Sequence, residues 1–180
     1  MEKTNAQIIK KNATNVGLTL GISLALITTL AYALSIELYT KWWFGTILFV
    51  FTVAFGIVSV SKSKGALNGF ISFKEAFTSY FITILIGVLI STITSILIFV
   101  VVDPDAAVFL QEKIIEMTVG MMERFGVPES EIAKQVEALQ NTNSYSLGSQ
   151  VQGFFISLVI YSVIGLLVSL IFKRNNPDLA

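Results

Sequence analysis

Four long stretches of the chain carry no acidic or basic side chain, and they constrain the fold more than any other feature. They cover residues 12–36, 42–61, 76–102 and 138–172, with lengths of 25, 20, 27 and 35 residues. A helix needs about 20 mainly apolar residues to cross the hydrocarbon core of a bilayer. Because each stretch is long enough for one crossing, the sequence predicts an all-α integral membrane protein with four transmembrane helices.

The spans are expected at about residues 16–36, 42–61, 72–102 and 149–172, within a single membrane domain of residues 1–180. The loop of residues 103–147 is too polar to span. Asp103 and Pro104 form a helix start, and apolar residues then recur at helical spacing. Gly126 is typical of a helix end, and Pro128 of a second start. We therefore expect an amphipathic helical hairpin between helices 3 and 4.

The distribution of Lys and Arg predicts the orientation. Eight basic residues flank the spans on the side of both termini, and four lie on the other side, where the long loop also carries eight acidic residues. Basic residues in short flanks favour the cytoplasmic side. We expect both termini in the cytoplasm and the acidic loop outside. The basic start, the apolar stretch and Ala31-Tyr32-Ala33 also resemble a cleaved signal peptide. The apolar stretch is longer than a typical signal core, which favours a retained first span.

The missing residue types exclude several classes of function. The chain has no cysteine and no histidine, which removes disulfides, thiolate nucleophiles, Ser-His pairs and the common zinc sites. No predicted apolar core contains the charged residues that mark proton relays and ion pathways. A net charge of zero gives no basis for nucleic-acid binding. We expect no enzymatic activity, no cofactor and no metal site.

Small residues on the spans predict where the helices pack. Without a hydrophobic drive in lipid, helices associate where small side chains let the backbones approach. Such residues follow one another at intervals of four on the first and third spans and recur on the fourth. The candidate packing residues are Gly17, Gly21, Ala25, Gly87, Ser91, Ser95 and Gly165. Two interpretations stay open, packing within one bundle and homodimerisation through the first span.

The segment before the third span carries a distinct motif. Ser72 and Glu75 have the spacing of a capping box, which predicts a helix starting there. The motif residues are Gly69, Ile71, Ser72, Phe73, Ala76 and Phe77, and the last span ends in Phe172-Lys173-Arg174. With these residues the chain resembles a bacterial four-helix membrane family catalogued as domain of unknown function 4199. The resemblance covers nearly the whole chain and implies a bacterial setting in the cytoplasmic (inner) membrane, but it supplies no activity, ligand or catalytic residue.

Two functions remain open from the sequence. The first is a noncatalytic accessory or envelope-associated component that binds a membrane-protein partner through its helices and loop. Its candidate partner surface comprises the adaptable side chains Met117, Met121, Met122 and Phe125. The second is a small oligomeric transporter or channel for an ion or polar solute, lined by hydroxyl groups. In either case the lipid bilayer surrounds the spans.

Overall fold

The computed structural model describes residues 2–174, and within them the chain is almost entirely helical. The six α-helices of this part are α1 (Glu2–Leu34), α2 (Trp42–Ala66), α3 (Phe73–Ile96), α4 (Pro104–Arg124), α5 (Glu129–Gln140) and α6 (Leu147–Phe172). A short 3-10 helix, Ile36–Thr40, joins α1 to α2, and α3 continues as a π-helix, Leu97–Val102. Helices α1, α2, α3 with its π-helical end, and α6 are long and apolar enough to cross a membrane. The prediction of an all-α chain with four apolar spans is confirmed.

Several helices extend beyond the apolar stretches that predicted them. Helix α1 begins at Glu2 rather than near residue 16, and α2 ends at Ala66 rather than at residue 61. The length of an apolar stretch reflects the thickness of the bilayer core that it crosses. The backbone helix can continue beyond it into polar residues with good helix propensity, such as lysine. The 33 residues of α1 are about 50 Å long, against a bilayer core of about 30 Å. At its other end α1 stops at Leu34, two residues early, because Ser35 has an extended backbone.

The ends of the helices follow local capping chemistry. The capping box before α3 is confirmed, since the Glu75 N–H donates to Ser72 Oγ at 3.3 Å and the Ser72 N–H donates to Glu75 Oε2 at 2.9 Å. At the start of α4, Asp103 accepts from the Ala106 N–H at 3.0 Å and Pro104 takes the first helical position. Gly126 follows α4 with a φ of 69°. The predicted start and end of α4 are therefore confirmed.

Helix α3 lies at the centre of the bundle and contacts α1, α2 and α6, while α2 also contacts both α1 and α6. Helices α1 and α3 run in the same direction, because Ala13 lies beside Thr83 and Gly21 beside Ile90. The first turns of α1 and α3 therefore lie at one end of the bundle, and a backbone bridge between Ile71 and Arg174 places the last turn of α6 there as well. This end is here called the termini end. Helices α4 and α5 form a hairpin beyond the other end of α3, here called the hairpin end.

Candidate functional site

The two sequence segments that carry the family resemblance meet at the termini end. Ile71 and Arg174 form an antiparallel backbone bridge, in which the Ile71 N–H donates to the Arg174 carbonyl oxygen at 3.0 Å and the Arg174 N–H donates back at 2.8 Å. The Ile71 side chain is 1% exposed. This bridge joins the loop before α3 to the residues just after α6. It ties together two parts of the chain about one hundred positions apart.

Two cations strengthen this junction. The Lys64 ammonium donates to the carbonyl oxygen of Phe172 at 2.9 Å, which satisfies a carbonyl in the last turn of α6. The Arg174 guanidinium lies 5.3 Å from the ring centroid of Phe70, within the range of a cation–π contact. The basic residues at this end therefore form hydrogen bonds and ring contacts that join α2, the loop and α6.

The other motif residues have structural positions in this junction. Gly69 has a φ of 85°, in the left-handed region that favours glycine, and its N–H donates to the carbonyl oxygen of Lys64 at 2.9 Å after α2 has ended. Ala76 is fully buried. Phe77 stacks on Phe81 with ring centroids 5.9 Å apart, and Phe73 is 37% exposed at the first residue of α3. Together with Ser72, the motif builds the start of α3.

Three of the predicted packing glycines lie at the interface of α1 and α3. A Cβ atom on Gly17 would lie 3.0 Å from the Cβ of Ile86, and one on Gly21 would lie 2.8 Å from the Cβ of Ile90. A Cβ on Gly87 would collide with the side chain of Leu20. Because α3 occupies this face of α1, the same face is not free to pack against a second copy of the chain.

The row of small residues leaves this interface further along α1. Ala25 is half-buried, whereas Gly17 and Gly21 are buried. Positions four residues apart rotate by about 40° around a helix, so a straight row drifts away from any one partner. The buried positions of α1 instead combine steps of four with steps of three, the latter from Ala13 to Val16 and from Thr28 to Ala31.

A chain of buried hydroxyl groups crosses the interface of α2 and α3. Ser79 Oγ lies 3.0 Å from Ser59 Oγ and 2.8 Å from Ser63 Oγ. Thr83 Oγ1 donates to Ser59 Oγ at 2.7 Å and also lies 3.1 Å from the carbonyl oxygen of Ala13 on α1. All four hydroxyl-bearing residues are fully buried. The sequence did not identify this cluster, although Ser59 and Ser63 are four residues apart and so are Ser79 and Thr83.

Tyr80 fills the space between α2, α3 and α6. Its side chain is fully buried, and a Cβ atom on either Gly56 or Gly165 would collide with its ring. Gly165 therefore packs against a tyrosine from α3, which the sequence did not identify. Within the described residues, Tyr80 Oη is the one buried side-chain polar atom without a hydrogen-bond partner. The space that the Tyr80 ring occupies is enough to explain why glycine stands at positions 56 and 165.

Ser91 and Ser95, two of the predicted packing residues, line a cleft of about 240 Å³ between α3 and α6. Its other walls include the polar residues Thr92 of α3 and Gln150 and Ser157 of α6. The tight contact of Gly87 faces α1 and not this cleft.

An aromatic cluster joins the bundle to α4 at the hairpin end. The Tyr32 hydroxyl donates to Asp103 Oδ2 at 2.6 Å, and Tyr39 donates to the carbonyl oxygen of Thr28 at 2.7 Å. The ring of Phe99, on the π-helix, lies edge-on to the rings of Tyr32 and Tyr39, with centroids 6.2 and 5.4 Å away. Phe99 is 2% exposed. These contacts fix the direction in which α4 leaves the bundle.

The ionisable groups of this cluster have shifted pKa values. The hydrogen bond from Tyr32, followed by the one from the Ala106 N–H, lowers the pKa of Asp103. Burial raises the pKa of Tyr145 to about 12 and raises the pKa of Tyr39 as well. Asp103 is therefore ionised and the tyrosines are neutral at physiological pH, which is the arrangement that the hydrogen bonds require.

Three members of the predicted partner surface are exposed on or next to α4. Met117, Met121 and Phe125 are 45%, 56% and 80% exposed, and they follow one another at intervals of four residues. Phe109, eight residues before Met117, is 36% exposed, and Lys113 occupies the position between them. Met122 is half-buried and lies on another face of the helix. Phe109, Met117, Met121 and Phe125 are here called the α4 stripe.

The described residues contain no group of three or more Asp, Glu, His or Cys side chains that could hold a metal ion. The polar side chains that come together are mainly hydroxyls, amides and lysines. Hydroxyl groups bonded to one another or to backbone carbonyls stabilise helix contacts, and the hydroxyls of Tyr32 and Ser72 donate to the carboxylates of Asp103 and Glu75.

Comparison with known proteins gives one match. Neither the curated proteins nor the solved structures contain a significant match to this chain. The model of one family, described as "Protein of unknown function (DUF4199)", matches residues 15–174. That range includes α1 from residue 15 onward, the other three apolar helices, the hairpin and both segments joined by the Ile71–Arg174 bridge. The chain therefore belongs to the DUF4199 family, and it is a multi-pass membrane protein by the length and composition of its helices.

Proposed function

We propose that this chain is a noncatalytic component of a bacterial inner membrane that binds another membrane protein through the α4 stripe. The observation that carries the proposal is a set of four apolar side chains, 36–80% exposed, on or next to a helix held by specific hydrogen bonds. Asp103 caps α4 and accepts from Tyr32 at 2.6 Å. Further along, Gln111 Nε2 donates to the carbonyl oxygen of Leu139, which fixes α5 against α4. An apolar surface that is already held in place loses little conformational freedom when a partner binds, which favours α4 as a binding surface over a flexible linker between the spans.

The charge distribution supports an orientation with the hairpin outside the cytoplasm. Basic residues concentrate at the termini end, and the hairpin carries an excess of acidic residues. Single cysteines at Lys64 and Glu116 test this directly, since the chain contains no other cysteine. We expect a membrane-impermeant maleimide to label the Glu116→Cys variant from outside and the Lys64→Cys variant only after permeabilisation. Labelling of both variants from one side would refute the orientation.

Site-specific photocrosslinking tests the partner surface. A photoreactive residue at Met121 is expected to give one defined protein adduct in native membranes, and the same residue at Ser130, exposed on α5, is expected to give none. Met117→Glu should reduce the Met121 adduct at unchanged expression, because it places a charge in the apolar row. Adducts with lipid alone, or equal adducts from both positions, would refute the proposal.

One observation favours a transport function as the second candidate. The polar cleft lined by Ser91, Ser95 and Gln150 lies within the apolar spans, where unpaired hydroxyl groups are costly unless something polar meets them. Flux of ions or small polar solutes through liposomes containing the purified protein tests it. Flux that Ser91→Leu and Ser95→Leu abolish would replace the accessory function with transport, and an absence of flux in the wild type leaves the accessory function as the conclusion.

A further inference from the structure

A cleft at the termini end opens between the first turns of α1 and α3. Its volume is about 250 Å³, and its walls include Ala6, Ile9 and Lys10 of α1 and Lys74, Glu75 and Thr78 of α3. We propose that this cleft binds the phosphate group of a membrane phospholipid, with Lys10 and Lys74 in its walls supplying the positive charge. The proposal concerns a lipid site at the opposite end of the bundle from the α4 stripe and does not depend on a protein partner.

The charges of the cleft favour a singly charged anion. The two ion pairs among the described residues are Lys113–Glu116 and Lys134–Glu131, both on the hairpin, so neither lysine of the cleft pairs with a carboxylate there. Glu75 Oε2 already accepts from both the N–H and the hydroxyl of Ser72. Two ammonium groups and one carboxylate leave one positive charge, which matches the single negative charge of a phosphate diester.

The position of the cleft points to a lipid as the source of that phosphate. Lys10 lies just before the first charge-free stretch, which begins at residue 12, and Lys74 just before the third, which begins at residue 76. Because α1 and α3 run in the same direction with Ala13 beside Thr83, Lys10 lies three residues and Lys74 nine residues toward the termini end from that contact, about 4.5 and 13.5 Å along the helices. Both lysines therefore lie on the termini side of that contact, at different depths. Phospholipid headgroups occupy this level of a membrane, and basic pockets between spans recognise them.

The size and the apolar wall of the cleft agree with a headgroup. A volume of about 250 Å³ equals that of about eight water molecules, which suits a phosphate with its glycerol but not two acyl chains. Ile9 is 2% exposed and contributes an apolar surface. The hydroxyl of Thr78 donates to the carbonyl oxygen of Lys74 at 2.8 Å and is therefore already hydrogen-bonded. The acyl chains would then lie along the bundle in the surrounding lipid.

Lipid binding to the purified full-length protein tests the site. Phosphatidylglycerol is titrated into delipidated protein in a neutral detergent, and the bound fraction is measured by native mass spectrometry. We expect Lys10→Gln and Lys74→Gln each to weaken binding about fivefold, and the double variant about 25-fold, the contribution typical of basic residues at a membrane surface. Lys62→Gln is the matched control, because Lys62 is an exposed lysine at the same end but outside the cleft.

A second variant separates shape from charge. Ala6→Trp should obstruct the cleft while keeping both lysines, and we expect it to weaken binding at least as much as Lys10→Gln does. Retention of wild-type binding by Ala6→Trp, or an equal loss in Lys62→Gln, would overturn the proposal, because either result assigns binding to the general basic surface. Unchanged elution and helix content establish that each variant is folded.

Inorganic phosphate distinguishes the two sources of the anion. We expect a large excess of inorganic phosphate to leave phosphatidylglycerol bound, because the apolar wall and the neighbouring lipid add to its affinity. Displacement at equal concentration would show that the site recognises dissolved phosphate, and it would overturn the assignment to a lipid.

Discussion

Replacing Ser79 with alanine removes the centre of the buried hydroxyl chain without changing the apolar packing around it. Ser79 Oγ lies 3.0 Å from Ser59 Oγ and 2.8 Å from Ser63 Oγ. Ser59 keeps its contacts with Thr83 and with the carbonyl oxygen of residue 79, the latter at 3.3 Å. Ser63 loses the hydroxyl contact that joins it to α3. The substitution therefore tests what holds α2 against α3.

The two lost contacts set the size of the effect. Hydrogen bonds between membrane helices contribute about 0.6 kcal/mol each on average. We therefore expect Ser79→Ala to lower the free energy of unfolding by about 1.2 kcal/mol, or about eightfold in the unfolding equilibrium. A double-mutant cycle with Ser63→Ala should give a coupling energy of about 0.6 kcal/mol, because one of the two contacts joins this pair.

Reversible unfolding in mixed micelles, followed by steric trapping or by titration with a denaturing detergent, measures these free energies. The matched control is Ser169→Ala on α6. Ser169 is also fully buried, but its hydroxyl donates to the carbonyl oxygen of Gly165 on its own helix at 2.6 Å. Because that bond joins no two helices, we expect a change of less than about 0.5 kcal/mol.

Two results would refute this reasoning. If Ser79→Ala and Ser169→Ala change stability equally, the bonds between helices contribute no more than a bond within one helix. If the coupling energy between Ser63 and Ser79 is zero, their short separation has no energetic consequence. Either outcome would leave shape complementarity around glycine and tyrosine as what holds α2 to α3.

Three further predictions follow from single contacts. Tyr80→Phe should raise the free energy of unfolding by about 1 kcal/mol, since the Tyr80 hydroxyl is buried without a partner in the described residues; a loss of stability in the same unfolding assay would contradict this. Asp103→Ala should lower the protection of the backbone amides in the first turn of α4 against hydrogen exchange, relative to the intrinsic exchange rate at the same pH, and acid should do the same in the wild type. The Tyr32 hydrogen bond lowers the pKa of Asp103, so its stabilisation is complete above the unfolded-state pKa of about 3.9 and is lost as the pH falls through the lower folded-state value; equal protection at neutral and acid pH would refute it. Lys64→Met should speed exchange in the last turn of α6 about tenfold, because the charged donor to the Phe172 carbonyl is lost, and unchanged exchange would show that the contact contributes nothing.

The sequence predicted the features that depend on residues close together in the chain. The capping box of Ser72 and Glu75, the cap of Asp103 and the helix end at Gly126 each involve neighbours within a few positions. Such contacts form wherever the segment is helical, so their spacing is enough to predict them. The extension of α1 back to Glu2 was not predicted, because a helix can continue past the point where its apolar residues end.

The candidate sites depended on contacts between distant residues, and there the sequence was a poorer guide. Small residues on the third span suggested one continuous packing row, but Gly87 lies in a tight interface and Ser91 in an open cleft. Met122 was grouped with Met121 by residue type, although consecutive residues of a helix point about 100° apart. The Ile71–Arg174 bridge joins two segments that the resemblance had named separately.

The sequence alone determined that lipid surrounds four helices of this protein, because the cost of placing residues in a bilayer accumulates along a single segment and needs no partner. Only the tertiary structure decided which faces of those helices meet, where the hydroxyl groups join and which lysines share a cleft. Small and hydroxyl-bearing residues occur on several faces of each span, and in lipid the choice among those faces rests on close packing and on hydrogen bonds between helices. Those contacts exist only once α3 has packed between its three neighbours.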